Sequence, residues 1–126
     1  FENLGNGNFV DVTDNKAPSF KTLGMTVALL VADINNDGWP DVIVAGDWEP
    51  IRILLNKNSQ LIDVSEEMGL SKTRGWWRDI AAGDLNKDGV IDFVIGNHGL
   101  NTFFKQSDRM YVADFDSNGS VEQIFC

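Results

Sequence analysis

The chain has 126 residues, of which 43% are hydrophobic, which suits one modest folded domain and argues against disorder. Its formal net charge of −9 repels nucleic-acid phosphates and anionic membranes, so we expect no nucleic-acid partner. The single cysteine, Cys126, excludes an internal disulfide, and no apolar run approaches the ~20 residues of a membrane span, so we expect no membrane insertion.

Short segments rich in apolar and β-branched residues, separated by polar turns, predict strands along most of the chain. In chain order the strands are predicted at residues 26–34, 41–45, 51–55, 61–64, 80–85, 92–95, 110–115 and 121–125. The almost continuously apolar run at 27–31 predicts a strand that is buried on both faces. No segment has sustained helical periodicity, although residues 65–68 predict one capped turn that Gly69 ends.

A repeated motif organises these strands, because similar Asp/Asn-rich segments begin at residues 33, 84 and 114. We divide the chain into the end of one blade (1–23), two blades (24–74 and 75–108) and the start of a further blade (109–126). Four short strands per unit are typical of a β-propeller, so we predict an all-β fragment with about two to three antiparallel blades. A β-sandwich is the alternative. Since the chain starts without Met and stops within an apolar run, we interpret it as a piece of a longer protein.

The repeated segments have the composition of calcium loops. Calcium prefers six to eight oxygen ligands, and a short loop can supply them when acidic or amide side chains alternate along it. Positions 1, 3, 5 and 9 carry such side chains, position 6 is always glycine, and position 7 offers its backbone carbonyl. The predicted ligands are Asp33, Asn35, Asp37, Trp39 and Asp41; Asp84, Asn86, Asp88, Val90 and Asp92; and Asp114, Asp116, Asn118, Ser120 and Glu122. We therefore expect two to three Ca²⁺ sites.

Other interpretations of the loops are less consistent with the pattern. An EF-hand loop closes with Glu at position 12 and joins helices, whereas position 12 here is apolar and the loops join predicted strands. Magnesium prefers fewer protein oxygens, and zinc prefers the His or Cys that these loops lack. A plain polar hairpin turn without metal remains the alternative, and it leaves the repulsion between carboxylates within each loop uncompensated.

The loop pattern with its flanking strands resembles the FG-GAP/VCBS repeats, which include the calcium loops of integrin α-subunit propellers. The residues at 80–84 and 94–101 also resemble the branch that carries ASPIC/UnbV-type modules. This resemblance implies a propeller of about seven blades with calcium on one rim. It also implies a cell-adhesion or structural role at an extracellular, periplasmic or outer-membrane surface. Neither Phe-Gly nor Gly-Ala-Pro stands where the family name places them. Two to three blades cannot close a ring, so we expect exposed edges and self-association of the fragment.

A second candidate site follows from hairpin geometry, because the segments before and after each hairpin meet at the end opposite its turn. Aromatic and Arg side chains there are typical anchors of a surface for a protein or carbohydrate ligand. The predicted ligand face comprises Trp48, Glu49, Trp76, Trp77, Arg78, His98 and Asn101. The alternative is that Trp76 and Trp77 pack between neighbouring blades.

Catalysis has little support in the sequence. His98 is the only histidine, and no nucleophile–base pair accompanies it, so we predict no enzyme activity and no catalytic residues for this chain. The alternative is that the chain forms part of a carbohydrate-active, lyase-like propeller enzyme whose active site lies mostly in other blades.

Overall fold

The computed structural model describes residues 1–99, together with the backbone of two strands in the last quarter of the chain. The described strands are β1 (Glu2–Gly5), β2 (Asn8–Val10), β3 (Met25–Ala32), β4 (Asp41–Glu49), β5 (Arg52–Lys57), β6 (Gln60–Asp63), β7 (Gly75–Gly83), β8 (Asp92–Asn97), β9 (Met110–Ala113) and β10 (Glu122–Phe125). The described helical elements include α1 (Thr13–Lys16) and two 3₁₀ helices, Pro18–Thr22 and Leu70–Lys72. None of these helices is long and apolar enough to cross a membrane.

The strands form open antiparallel sheets, which confirms the prediction of an all-β propeller fragment. Strands β3, β4, β5 and β6 follow one another as a meander in which each pairs with the next. Strand β7 pairs with the end of β4 and with β8, so all six strands belong to one sheet. The hairpins β1–β2 and β9–β10 form separate two-stranded sheets.

All eight predicted strands are present, and their observed ends differ from the predicted ends by five residues at most. The capped turn before Gly69 is also present, and Gly69 ends it with a φ of 77°, a conformation that glycine adopts without steric cost. Strands β1 and β2, helix α1 and the first 3₁₀ helix were not predicted. They occupy residues 1–23, where the alternation of apolar and polar residues is too short to predict a strand or a helix.

The hydrophobic core lies on both faces of β4. One face of the sheet holds a buried cluster centred on Ile43, Ala45 and Ile53. The other face holds Val42, Val44, Leu54 and Leu23, with Phe20 and Leu61 packed against them. The segment that contains the first 3₁₀ helix therefore covers the outer part of this second face.

Strand β3 does not have the predicted double burial. Val27, Leu29 and Val31 are 44%, 50% and 59% exposed, while the alternate residues Ala28 and Leu30 face the main core. The prediction was wrong because a continuous apolar run indicates burial only where other elements cover both faces. Among the described residues, β4 has that environment and β3 does not.

Candidate functional site

The two described loops with the repeated motif lie next to each other on one rim of the sheet. The first loop joins β3 to β4, where Ala32 pairs with Asp41, and the second joins β7 to β8, where Gly83 pairs with Asp92. The amide of Asn36 in the first loop donates a long hydrogen bond of 3.5 Å to a carbonyl of the second loop. The corresponding positions of two repeats are therefore neighbours in space.

In the first loop, side-chain oxygens accept hydrogen bonds from the loop's own backbone. The two carboxylate oxygens of Asp33 accept from the N–H groups of Asp37 and Gly38 at 3.0 and 2.8 Å. The amide oxygen of Asn35 accepts from the same Asp37 N–H at 3.1 Å, and Asp37 in turn accepts from the N–H of Trp39 at 2.8 Å. The alternate polar side chains thus point into the turn.

The second loop has the same network in the same places. Asp84 accepts from the N–H groups of Asp88 and Gly89 at 3.1 and 2.9 Å. Asn86 accepts from Asp88 N–H at 3.0 Å, and Asp88 accepts from Val90 N–H at 2.8 Å. Two segments that share only their Asp, Asn and Gly positions therefore form one local structure, as the sequence pattern indicates.

The turn at the centre of each loop depends on left-handed backbone conformations. Gly38 and Gly89, at position 6, have φ values of 86° and 85°, which a residue with a side chain adopts only with strain. Asn36 and Lys87, at position 4, also have positive φ, of 57° and 66°. Glycine at position 6 is thus explained by the positive φ of the backbone, since a side chain there would have space.

Hydrogen bonding also favours the charged form of one loop acid, Asp88. The backbone N–H of Val90 and then the amide of Asn86 stabilise the Asp88 carboxylate, and they hold its pKa below its usual value. An ionised carboxylate is the form that binds a cation.

The acid at position 9 differs between the loops. Asp41 is 0% exposed, and its two oxygens accept from the N–H of Ile34 at 2.9 Å and from the N–H of Asn56 on β5 at 2.7 Å. Asp92 is only partly buried and accepts from Leu85 N–H at 3.0 Å. Asp41 therefore connects the first loop to the next strand of its unit as well as closing the loop.

The donor set of each described loop consists entirely of oxygens, which suits a hard cation such as calcium. Within the described residues, no three His, Cys, Asp or Glu side chains form a group that could hold a metal ion by themselves. A calcium ion would accordingly also need the amide at position 3 and the carbonyl at position 7. In the third predicted loop, Asp114, Asp116, Asn118 and Ser120 lie outside the described residues, and Glu122 is described only as the first backbone position of β10.

The opposite rim gathers most of the predicted ligand face, which we call the aromatic rim: Trp48, Trp76, Arg78 and His98. The Trp76 ring lies 5.8 Å from Trp48 and 4.6 Å from His98 between centroids, and the Arg78 guanidinium lies 5.0 Å from its centroid. Arg78 also forms an ion pair of 3.2 Å with Asp47, which the sequence interpretation did not include.

The other three residues of the predicted face do not belong to this cluster or are not described. Trp77 is on the other side of β7, where it packs against the main core and donates from Nε1 to the carbonyl of Thr73 at 3.0 Å. Glu49 follows Trp48 at the end of β4, beside the cluster, and its side chain lies against Gly24. Asn101 is outside the described residues. Alternation along a strand would have separated Trp76 from Trp77 in advance.

A sequence model described as FG-GAP-like repeat matches residues 1–44 and again residues 33–95. Both matches include the first loop, and the second match extends through the second loop to the end of the following apolar segment. No curated protein and no solved structure matches the chain.

Proposed function

Because the chain belongs to the FG-GAP-like repeat family, we propose that it is a calcium-binding propeller module of a secreted or cell-surface protein. The observation that carries this proposal is the identical hydrogen-bond network of the two loops. Six polar side chains are held in equivalent places by repeats of different sequence: Asp33, Asn35, Asp37, Asp84, Asn86 and Asp88.

The proposed ligands are those side chains, the carbonyls of Trp39 and Val90, and the acids Asp41 and Asp92. Every donor is oxygen, and the carboxylates that repel one another in each loop gain a counter-charge when a cation is bound. In the proposal, the backbone hydrogen bonds hold the loop close to its binding conformation, so little ordering is required. A third site would use the loop that begins at Asp114.

Calcium would make folding of the module depend on the surrounding ion concentration. Affinities of extracellular modules correspond to Kd values of about 10⁻⁴–10⁻³ M, so such sites fill outside the cell and stay empty in cytosol. The proposed place of action is accordingly an extracellular, periplasmic or outer-membrane surface. There the module would serve a structural or adhesive role, and it would present the aromatic rim to a ligand.

The test is thermal unfolding of the chain in millimolar CaCl₂, in millimolar MgCl₂ and in excess EDTA. We expect a higher midpoint with calcium alone, since a roughly tenfold excess of calcium over Kd contributes about 1.4 kcal/mol per site. Asp33→Asn and Asp84→Asn should each remove part of that shift. Trp39→Ala is the control, because only its backbone carbonyl is a proposed ligand. A cooperative transition that calcium does not move would contradict the calcium assignment.

A further inference from the structure

The aromatic rim is shaped by irregular strand pairing. The pairing register shifts once in each of three neighbouring strand pairs, and each shift leaves one residue without an opposite partner. Those extra residues are Val27 in β3, Trp48 in β4 and Arg78 in β7. β-Bulges of this kind redirect a side chain and are common beside functional sites. Two of the three redirected side chains meet at the ring of Trp76.

Trp48 is held in a conformation that its side chain opposes. Its φ is 65°, which is unusual for a bulky residue and costs conformational free energy. In return its ring lies beside Trp76 and is partly exposed. His98, which is exposed, flanks Trp76 at 4.6 Å. The rim therefore presents two aromatic groups around a central tryptophan.

The same rim carries arginines with different surroundings. Arg78 is held by the carboxylate of Asp47 at 3.2 Å. Arg74 is exposed and donates to the backbone carbonyl of Trp48 at 3.3 Å. In the part of the chain that the structure describes, no carboxylate pairs with Arg74. Its guanidinium thus stands next to the Trp48 backbone with its charge available to a bound anion.

We propose that the aromatic rim binds an acidic saccharide, with Trp48 and His98 packing against a pyranose ring and Arg74 pairing with the carboxylate that the ring bears. A pyranose ring has an apolar face of C–H groups that suits an aromatic surface, and its hydroxyls suit nearby polar side chains such as Glu49. A planar guanidinium binds a carboxylate through two parallel hydrogen bonds. A neutral saccharide would leave Arg74 without that partner.

The overall charge of −9 does not prevent an anionic ligand from binding at the aromatic rim. Much of the acidic charge lies in the loops at the opposite rim, while Asp47 and Glu49 near the site are engaged by arginines at 3.2 and 3.9 Å. The inference rests on the ligand-binding part of the proposed function. It does not require calcium, because no loop residue contributes to the site.

The test is isothermal titration of the chain with a trimer of galacturonic acid, and with the same trimer as its methyl ester. The ester keeps the sugar rings and removes the negative charge. We expect the acid to bind about threefold to fivefold more tightly, because an exposed ion pair contributes modestly. Arg74→Gln should make the two affinities equal within the error of the titration. Trp48→Gly should abolish binding of both; glycine accepts the positive φ, and cooperative melting of the variant checks that it is folded.

Matched controls lie away from the aromatic rim. Phe9→Ala removes an exposed aromatic side chain of β2, and Lys57→Gln removes an exposed cation at the end of β5. Both should leave the affinity unchanged. Equal binding of acid and ester would overturn the inference, as would equally tight binding of an acidic peptide of the same charge. The absence of any binding by a chain that melts cooperatively would also overturn it.

The failure of this inference is distinguishable from a failure of the calcium assignment. The titration is performed with millimolar CaCl₂ and again with MgCl₂ plus a calcium chelator, on a chain whose cooperative melting is checked in both solutions. Saccharide binding without a calcium-dependent midpoint would support the aromatic rim and contradict the calcium loops. A calcium-dependent midpoint without saccharide binding would support the calcium loops and contradict the assignment of the aromatic rim.

Discussion

The two described loops share one local structure but differ in how they are connected to the rest of the sheet. In both, acids and amides at positions 1, 3 and 5 accept from the same backbone N–H groups. Only in the first does the acid at position 9, Asp41, lie fully buried and bind the next strand through Asn56. Local sequence therefore determines the turn, whereas the outer strands determine how firmly it is anchored.

The largest expected difference between the loops concerns position 9. Asp41→Asn replaces a carboxylate oxygen that accepts from a buried backbone N–H with an amide that also donates, which leaves one hydrogen bond unmade. We expect a loss of about 1–3 kcal/mol in the free energy of unfolding, measured by urea denaturation in EDTA. Asp92→Asn is the matched control and should cost less than about 1 kcal/mol, because Asp92 is less buried and, within residues 1–99, accepts from Leu85 alone. Equal losses would mean that the connection to β5 contributes nothing.

A smaller effect on the free energy of unfolding is expected when the pH is lowered. It should arise in the unit that contains the first loop. Burial disfavours the charged form of Asp63 on β6, but hydrogen bonds from Ser65 and Arg52 outweigh it and hold the pKa of Asp63 below its usual value. The folded pKa lies below the unfolded value of about 3.9, so the stabilisation is present above that pH and is lost as the pH falls through the folded pKa.

We therefore expect Asp63→Asn to be less stable than the parent chain above about pH 4 and to approach it in stability at lower pH. Urea denaturation at a series of pH values measures this. Asp14→Asn is a suitable control, because the Asp14 side chain is exposed and its carboxylate pairs with Lys21 rather than with a residue of β6. A constant difference between Asp63→Asn and the parent at every pH would exclude the proposed linkage.

The smallest expected effect concerns the contact between the loops. Asn36 and Lys87 both occupy position 4 with positive φ, so replacing either with glycine relieves strain in its own loop. Only Asn36→Gly also removes the 3.5 Å hydrogen bond to Gly89. We expect Lys87→Gly to stabilise the chain by about 0.5 kcal/mol and Asn36→Gly to change it by less, as measured by the unfolding midpoint. A larger gain for Asn36→Gly would show that the contact between the loops is not stabilising.

Several features were predictable from sequence because they depend on neighbouring residues along the chain. The turn geometry of the loops follows from Asp33, Gly38 and their spacing, and the second loop repeats it. The strands follow from short apolar runs between polar turns. The family relationship rests on the same local pattern, which explains why it was recognisable before the fold was known.

Other features depend on contacts between distant segments and were therefore not predictable. The exposure of Leu29 reflects which elements cover β3, and its apolar sequence carries no information on that point. The redirected side chains of Trp48 and Arg78 arise from register shifts, which only strand pairing defines. The burial of Asp41 depends on where β5 returns, which the motif itself does not determine.

Strand β4 takes part in both units, since it pairs with β3 and β5 along most of its length and with β7 at its end, where Asp47 lies opposite Trp76. The two units are thus joined by two backbone pairs, Asp47 with Trp76 and Glu49 with Gly75, on either side of the bulge at Trp48. In repeat proteins, contacts of this kind couple the stability of nearest neighbours. We therefore expect unfolding of one unit to destabilise the next, and we expect adjacent repeats to share a pulling force applied along the array.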